Sequence, residues 1–471
     1  MGEVTFAPMP ECDVRVDIAV VGGGAAGLCA AIAARSAGCS VLLLERDATL
    51  AGSTAMSQGA VCAAGSRAQA RAGIKDDAER FFTDIMAKTD GTADPVIARL
   101  VAQASGPTMD WLTETLGLPY AVNAGWSGFF GHSVNRLHSL PSQTGTEMSA
   151  HLQTAAQAAG VDIVTVAHVT KLFASADGTV RGALMQRPNG DAEPVACRAL
   201  VAATCGFGAN REMVRQHIPG FGNAPTYRYH GHPGNDGAGI AWGNALGAAT
   251  GSMDAFQGYG TLADPHGVLF NYNAIMAGGV LVNAHGARFS DELADISGQA
   301  LVVLDQPAPV WAVFDAEREA AVADLPEYRE LSAAGAVHRA EDLAELARLT
   351  GADPTILADT LLRAARAAEG SAACPFGRDF RGAAPLAAPY RAVRVTGALF
   401  HTQGGLQLDA AGAVIRANGS ALPNFFAAGG TARGISGNGA SGYLPAAGLC
   451  TAVTLGRLAG ERAAQAAMQS G

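Results

Sequence analysis

The sequence predicts an α/β fold in which a Rossmann-like parallel sheet is interrupted by an inserted α+β segment. Three observations carry this. The chain opens on an apolar run, Asp17–Val21, followed by Gly22-x-Gly24-x-x-Gly27, a helix-favouring stretch Leu28–Ala37 and a second apolar run Ser40–Leu44. Its 471 residues are 49% hydrophobic and 16% charged with 59 glycines, enough apolar matter for a large core with many tight turns. From about Asp254 to Phe400 the character changes to helical stretches (Asp342–Arg348, Pro354–Ala368), strands (Val310–Phe314, Tyr390–Val395) and proline-rich turns.

Each part of the first unit has a physical reason. Gly22 permits a tight turn, Gly24 lets the backbone approach a pyrophosphate, and Gly27 lets the helix pack on its strand. The helix N-terminus then faces the phosphate charge. Glu45 lies 18 residues after Gly27, where its carboxylate can accept hydrogen bonds from ribose hydroxyls. This is a complete βαβ dinucleotide fingerprint, silent by itself on which dinucleotide. Further strands are expected at Val161–Leu172 (a pair), Val180–Leu184 and Leu200–Thr204, and a helix from about Ala446 to Ala459.

Several function classes fall away. The net charge of −10, without a basic run, argues against a nucleic-acid partner. Eight scattered cysteines form no C-x-x-C pair, so no metal site and no c-type haem are expected; most read as small buried hydrophobes in a reducing compartment. Residues 1–15 carry Glu3, Glu11 and Asp13 without an apolar core, unlike a secretory signal, and nothing reads as a membrane span. A soluble, cytoplasmic protein is expected.

The segment after Glu45-Arg46-Asp47 separates the cofactors. Gly52-Ser53-Thr54 through Gly59-Ala60 resembles the loop that fumarate reductase/succinate dehydrogenase flavoproteins run along the FAD pyrophosphate and ribityl chain. The similarity continues through Leu200–Gly208, Gly234–Gly239, the Val280–Phe289 segment with Asp291-Glu292, Phe400–Leu406, Leu422–Gly430 and Gly456–Gly460. It implies a glutathione-reductase-type FAD domain at residues 1–253 and 401–471, with a substrate-capping domain at 254–400. It also implies non-covalent FAD held by Gly22, Gly24, Ala26, Gly27, Glu45, Arg46, Ser53, Thr54, Gly59, Val169, Thr204, Gly206, Asp236, Gly429, Gly430 and Leu449. One departure stands out: relatives carry Glu where this chain has Gly430.

The chemistry expected from the resemblance is hydride transfer at flavin N5, with a proton donor or acceptor at the neighbouring carbon. Dicarboxylate members use two arginines and two histidines. Here His401 keeps one histidine, Tyr259 stands in place of the other, Ile296 occupies one arginine position, and Ser436–Tyr443 contains no arginine. A dicarboxylate would lack its bidentate partners, at a cost of several kcal/mol. Gly442–Gly448 instead resembles the tyrosine-glycine stretch of 3-ketosteroid Δ1-dehydrogenases, although Ile296 also replaces the tyrosine base of those enzymes. Tyr443 with the Ala447/Gly448 amides is then a carbonyl clamp, and Tyr259 or His401 the base. The reading is a desaturase placing a C=C bond beside the carbonyl of a neutral cyclic ketone or 3-ketosteroid-like substrate. The alternative is an ene-reductase of an enone or unsaturated acid. Oxygen, a quinone or a carrier protein is the expected external electron acceptor. Tyr120, Trp126, His132, Arg136 and His138, in and beside the Gly125–Leu140 loop, are further candidates for the pocket, and Arg433 could neutralise reduced flavin, bind one carboxylate or face solvent.

Overall fold

The computed structural model describes residues 2–124, 130–225, 227–380 and 382–469. The chain divides into two compact units, one of residues 1–218, 231–257 and 401–471, the other of 219–230 and 258–400. The second unit joins Pro219–His230 to Gly258–Phe400. Backbone hydrogen bonds explain that capture: Leu399 N–H donates to Arg228 O at 2.9 Å, and His230 N–H donates to Leu399 O at 2.8 Å.

The first unit is built on an eight-stranded sheet. Strand β1 (Val14–Val21) leads through a glycine loop into α1 (Ala25–Ser36) and returns as β2 (Val41–Leu44). A short helix, α2 (Gly52–Ala55), follows. Farther on, β3 (Asp162–Val164) pairs in parallel with β2, and β4 (Ala192–Ala202) in parallel with β1. Helix α3 (Ala238–Ala245), strand β5 (Phe425–Ala427) beside β4, and the long α4 (Ala447–Gln469) complete the frame. Residues 18–21 and 41–44 are almost wholly buried and apolar, the pattern of strands covered on both faces.

Register is what builds the site. Ala202 lies opposite Val21 on one side and Ala427 on the other. The loops that leave β1, β4 and β5 therefore emerge side by side at the carboxyl edge of the sheet, where open α/β sheets bind ligands.

Two expectations are corrected here. The Val161–Leu172 strands do not pair with each other. Residues 162–164 join β2, whereas His168–Ala174 lies at the far side between Glu3–Thr5 and Val180–Gln186. Helix α4 also runs on to Gln469 instead of stopping near Ala459. Gly456 and Gly460 sit inside it, in contact with Ala26 and Ala30 of α1, so they serve packing and not termination.

The second unit holds an antiparallel sheet, with Tyr390–Thr402 between Phe256–Ala263 and Val310–Asp315, and Val280–Val282 beyond. Helices Leu343–Thr350 and Pro354–Ala368 cover it through Leu346 and Leu357. Asp353 caps the second helix by accepting from Thr355 N and Ile356 N at 2.8 and 3.0 Å, with Pro354 at its first position. The Val280–Phe289 segment forms the strand Val280–Val282 and a turn at Asn283–Ala287. What fixes that segment is Glu292, fully buried, which takes Arg288 Nη2 at 2.6 Å, Arg378 Nη1 at 2.9 Å and the Leu281 N–H at 3.1 Å. Among the described residues no helix is long and apolar enough to cross a membrane.

Candidate active site

The carboxyl-edge crevice of the first unit gathers most of the expected cofactor residues. Gly22 has φ +107°, and a Cβ on it would stand 2.3 Å from Ala203 O, so only glycine fits. Gly24 opens α1 as an extended N-cap that brings no capping side chain. By helix geometry the first-turn amides, Ala26 and Gly27 among them, have no intrahelical acceptor and are available to an anion. Thr54 Oγ1 of α2 accepts from Ala25 N at 2.9 Å, which ties the Gly52–Ala55 turn to the same helix end. Glu45 accepts from Gly23 N at 2.6 Å and Asp47 N at 2.9 Å, so the carboxylate is fixed by the loop it was expected to accompany. A carboxylate has lone pairs left over for ribose hydroxyls.

The other expected cofactor residues group around this loop. Ser53 Oγ accepts from Asn235 Nδ2 at 2.8 Å, and Arg46 reaches Asp236 at 3.9 Å, whose Oδ1 accepts from Ala238 N at 2.9 Å just as α3 begins. Thr204 Oγ1 accepts from Gly239 N at 3.0 Å, and Gly206 O from Gly237 N at 3.0 Å. A Cβ on Gly429 would meet Ala26 Cβ at 3.1 Å. Tyr120 Oη donates to Gly59 O at 2.8 Å. Val169 is a buried strand residue opposite Met185, and Leu449 lies half-buried in the first turn of α4.

A second cluster forms where α4 begins. Ala446, at φ +65°, turns the chain sharply into the helix. A Cβ on Gly448 would lie 3.6 Å from Tyr443 Oη, 3.6 Å from Gln403 Nε2 and 3.7 Å from Gln257 Oε1. Phenol and amide groups thus surround a bare glycine at a helix N-terminus. His401 is adjoined to this cluster: its Nδ1 is 3.0 Å from Gln403 Nε2 and its Nε2 is 3.3 Å from Cys205 Sγ. Burial opposes charge on both groups, yet their mutual attraction prevails, holding the His401 imidazole above its ordinary range and the Cys205 thiol below.

Tyr259 belongs to the second unit. Its ring stacks on Phe400 at 5.4 Å, its hydroxyl accepts from Tyr272 N at 3.2 Å, and burial pushes its phenol pKa up. Ile296 is buried in the same unit.

The remaining candidates have partners that sequence could not supply. Arg433 pairs with Asp94 at 2.6 Å and also donates to Ser252 Oγ and Gln407 Oε1, so its charge is neutralised within the fold. Arg136, wholly buried, donates to both oxygens of Asp76 at 2.8 Å and pairs with Asp84. His132 Nε2 lies 3.0 Å from Pro445 O, and His138 Nε2 lies 2.7 Å from Ser66 Oγ. Burial pushes both imidazoles down to about 4. Of the three, His132 reaches the segment before α4, through Pro445 O, and Arg136 lies behind it with Nη1 3.5 Å from His132 Nδ1. Trp126 lies outside the described residues. Cys205, Gln403, Gln257 and Asp94 escaped the sequence reading. Only the His401/Gln403 pair had a signal, an i, i+2 spacing at the end of a strand. No group of metal-binding side chains occurs among the described residues.

Comparison with known proteins agrees with this geometry. The FAD binding domain family matches residues 17–450. The chain is 28% identical over 455 residues to a fumarate reductase (cytochrome) of Shewanella frigidimarina, covering 96% of this chain and 77% of that one. Its fold superposes on an open-conformation flavocytochrome c3 fumarate reductase with TM-score 0.82 and 27% identity, over 97% of this chain and 79% of the other. It superposes on the 3-ketosteroid-Δ4-(5α)-dehydrogenase of Rhodococcus jostii RHA1 with TM-score 0.78 and 24% identity, over 98% and 100%, a likeness of fold. A glycine loop at a helix N-terminus, a pinned carboxylate and hydroxyls around it are what a flavin dinucleotide needs, and the chain belongs to the FAD binding domain family as an FAD-dependent oxidoreductase of the fumarate reductase/succinate dehydrogenase flavoprotein superfamily.

Proposed function

We propose that the chain is a desaturase that introduces a C=C bond next to the carbonyl of a neutral cyclic ketone, steroid-sized or smaller. The observation that carries this reading is the uncharged rim at Gly448, made of Tyr443 Oη and the Gln403 and Gln257 amides. Arg433, the cation of the C-terminal segment, is neutralised by Asp94. A ketone oxygen matches such a rim, whereas two carboxylates would be desolvated against it without cationic partners, at several kcal/mol.

Bound non-covalently along the Gly22–Gly27 loop, FAD supplies the hydride acceptor. The protein's share is polarisation and proton handling. Tyr443 donates to the carbonyl together with the Gly448 and Leu449 amides at the start of α4, where the helix dipole favours developing negative charge; the Ala447 amide expected in that role donates to Leu444 O at 3.0 Å. Polarisation acidifies the α carbon, so a modest base suffices. His401 takes that proton in the form of the pair that keeps its ring neutral, with the shared proton on Cys205 Sγ 3.3 Å away. Tyr259, the other candidate base, belongs to the second unit and keeps its proton, since burial pushes its phenol pKa up. An external acceptor, oxygen, quinone or carrier, regenerates the cofactor.

The 28% identity to a fumarate reductase favours a second reading, reduction of an enone or unsaturated carboxylic acid by the same groups run in reverse. One experiment separates the readings. Anaerobic FAD-loaded protein is mixed with 3-ketosteroids and smaller cyclic ketones, and the yellow absorbance is followed. Bleaching by a saturated ketone supports the desaturase. Reoxidation of dithionite-reduced protein by enones, without such bleaching, supports the reductase. Reoxidation by fumarate-type dicarboxylates alone would overturn the uncharged-substrate reading.

A further inference from the structure

We propose that Cys205 is a nucleophilic thiol, activated by His401, which hydrogen peroxide oxidises to a sulfenic acid. The case is geometric. Cys205 follows the carboxyl end of β4 at φ +64°, a left-handed conformation that a cysteine enters only when its surroundings impose it. Its sulfur lies 3.3 Å from His401 Nε2, and the ring's other nitrogen lies 3.0 Å from the Gln403 amide, which reaches Ser436 Oγ at 3.5 Å. Nucleophile, imidazole and orienting amide in that order is the arrangement by which proteins activate weak nucleophiles. The amide fits either way round. With Gln403 Oε1 turned to Nδ1, both ring nitrogens donate, as an imidazolium requires.

The groups facing the sulfur are His401 from the Tyr390–Thr402 strand, Ser53 Oγ from α2 and the Gly206 N–H of its own loop, all able to donate to a thiolate. Gly430 completes the arrangement. A Cβ there would lie 2.9 Å from His401 Cε1 and Nε2 and 2.6 Å from Gly206 N. The bare glycine at 430 is therefore what lets the imidazole lie against the sulfur. The other cysteines differ: Cys29 and Cys197 are buried with thiols pushed up to about 12, and Cys374, half-buried, has an arginine and no imidazole partner. Cys205 as a residue is half-buried, so the reagent must be as small as hydrogen peroxide.

The step balances. The thiolate attacks one peroxide oxygen, the O–O bond breaks, and the departing hydroxide takes the Nε2 proton to leave as water. Sulfur is oxidised by two electrons and the peroxide is reduced by two. The product, Cys–SOH, is reversible by thiols.

The test uses the FAD-loaded protein, hydrogen peroxide and dimedone, with labelled peptides quantified by mass spectrometry between pH 5.5 and 9. Cys205 is expected to label at least tenfold faster than Cys12 and Cys374 at pH 6, with a rate nearly flat with pH. In His401→Gln its labelling at pH 6 is expected to fall at least tenfold. A wild-type rate that drops about tenfold per pH unit below 8, as for an unperturbed thiol, would overturn the proposal. So would equal labelling of Cys205 and Cys374. Because the wild-type profile alone decides, a His401→Gln protein that fails to fold leaves the test intact. Substrate turnover is not read, so the outcome is independent of the ketone reading.

Discussion

Replacing Gly460 by alanine is expected to loosen the whole cofactor crevice, although the residue lies well along α4 from any expected ligand contact. A Cβ at Gly460 would stand 2.1 Å from Ala30 O and 2.8 Å from Ala30 Cα, where ordinary contact needs 3.4 Å or more. One turn earlier, a Cβ at Gly456 would stand 2.4 Å from Ala26 O. Both partners are backbone atoms of α1, a helix buried from Ala25 to Ala34, so no side chain can swing aside. The two helices must part by about 1 Å, which forfeits a quarter to a half of the dispersion energy along the seam. Overpacking of this kind costs about 1–3 kcal/mol, and the better helix propensity of alanine returns about 1 kcal/mol. The expected net loss is therefore about 0–2 kcal/mol for Gly460→Ala, and more for the double variant with Gly456→Ala, because both strain the same seam. The N-termini of α1 and α4 move with it, so FAD affinity is expected to fall about tenfold for each 1.4 kcal/mol that reaches the bound state. The assays are the urea midpoint by tryptophan fluorescence and FAD dissociation by the fluorescence of released flavin. A Gly460→Ala protein with a raised midpoint and unchanged FAD affinity would mean propensity outweighs contact, and the seam argument would fail.

Three further outcomes are expected. Tyr443→Phe should lower turnover of whichever ketone bleaches the flavin by about 10²–10³, the usual cost of one donor to a developing oxyanion, with FAD content unchanged; an equal rate would remove Tyr443 from the clamp. Acid should destabilise the first unit through His132 and His138. Burial holds both near 4 against an ordinary 6.5, so the unfolded chain takes up protons first. Their contribution is whole above about pH 6.5 and is lost as pH falls towards 4, by about 2 kcal/mol per histidine at pH 5. The wild-type urea midpoint should drop between pH 7.5 and 5, and an undiminished drop in His132→Gln/His138→Gln would refute this assignment. Precipitation with acid should release all flavin into the supernatant, since FAD is proposed to be held without a covalent bond; yellow pellet protein would count against that.

What was legible in the sequence follows the range of the interactions. The β1–α1–β2 unit could be read because its periodicity, its glycines and Glu45 lie within thirty residues, and each glycine answers a local steric demand such as the Gly22 approach to Ala203 O. The end of α4 could not. Gly456 and Gly460 punctuate a sequence locally, and only the backbone of a helix more than four hundred residues earlier turns them into packing contacts. Arg136 illustrates the same limit: its carboxylate partners Asp76 and Asp84 stand 60 and 52 residues away, so a buried, ion-paired side chain reads in sequence as a pocket candidate. His401 was recognisable by its strand, but its partner sulfur lies 196 residues distant and the sequence ranked Cys205 with the small hydrophobes. Gly430 joins the two levels. In sequence it was merely a missing glutamate beside the flavin. In three dimensions the vacant Cβ is filled by the His401 ring, and that ring is what meets Cys205. A lost side chain and an imidazole–thiol pair are thus one change, which is why Gly430→Ala should disturb the reactivity of Cys205 before it disturbs the fold.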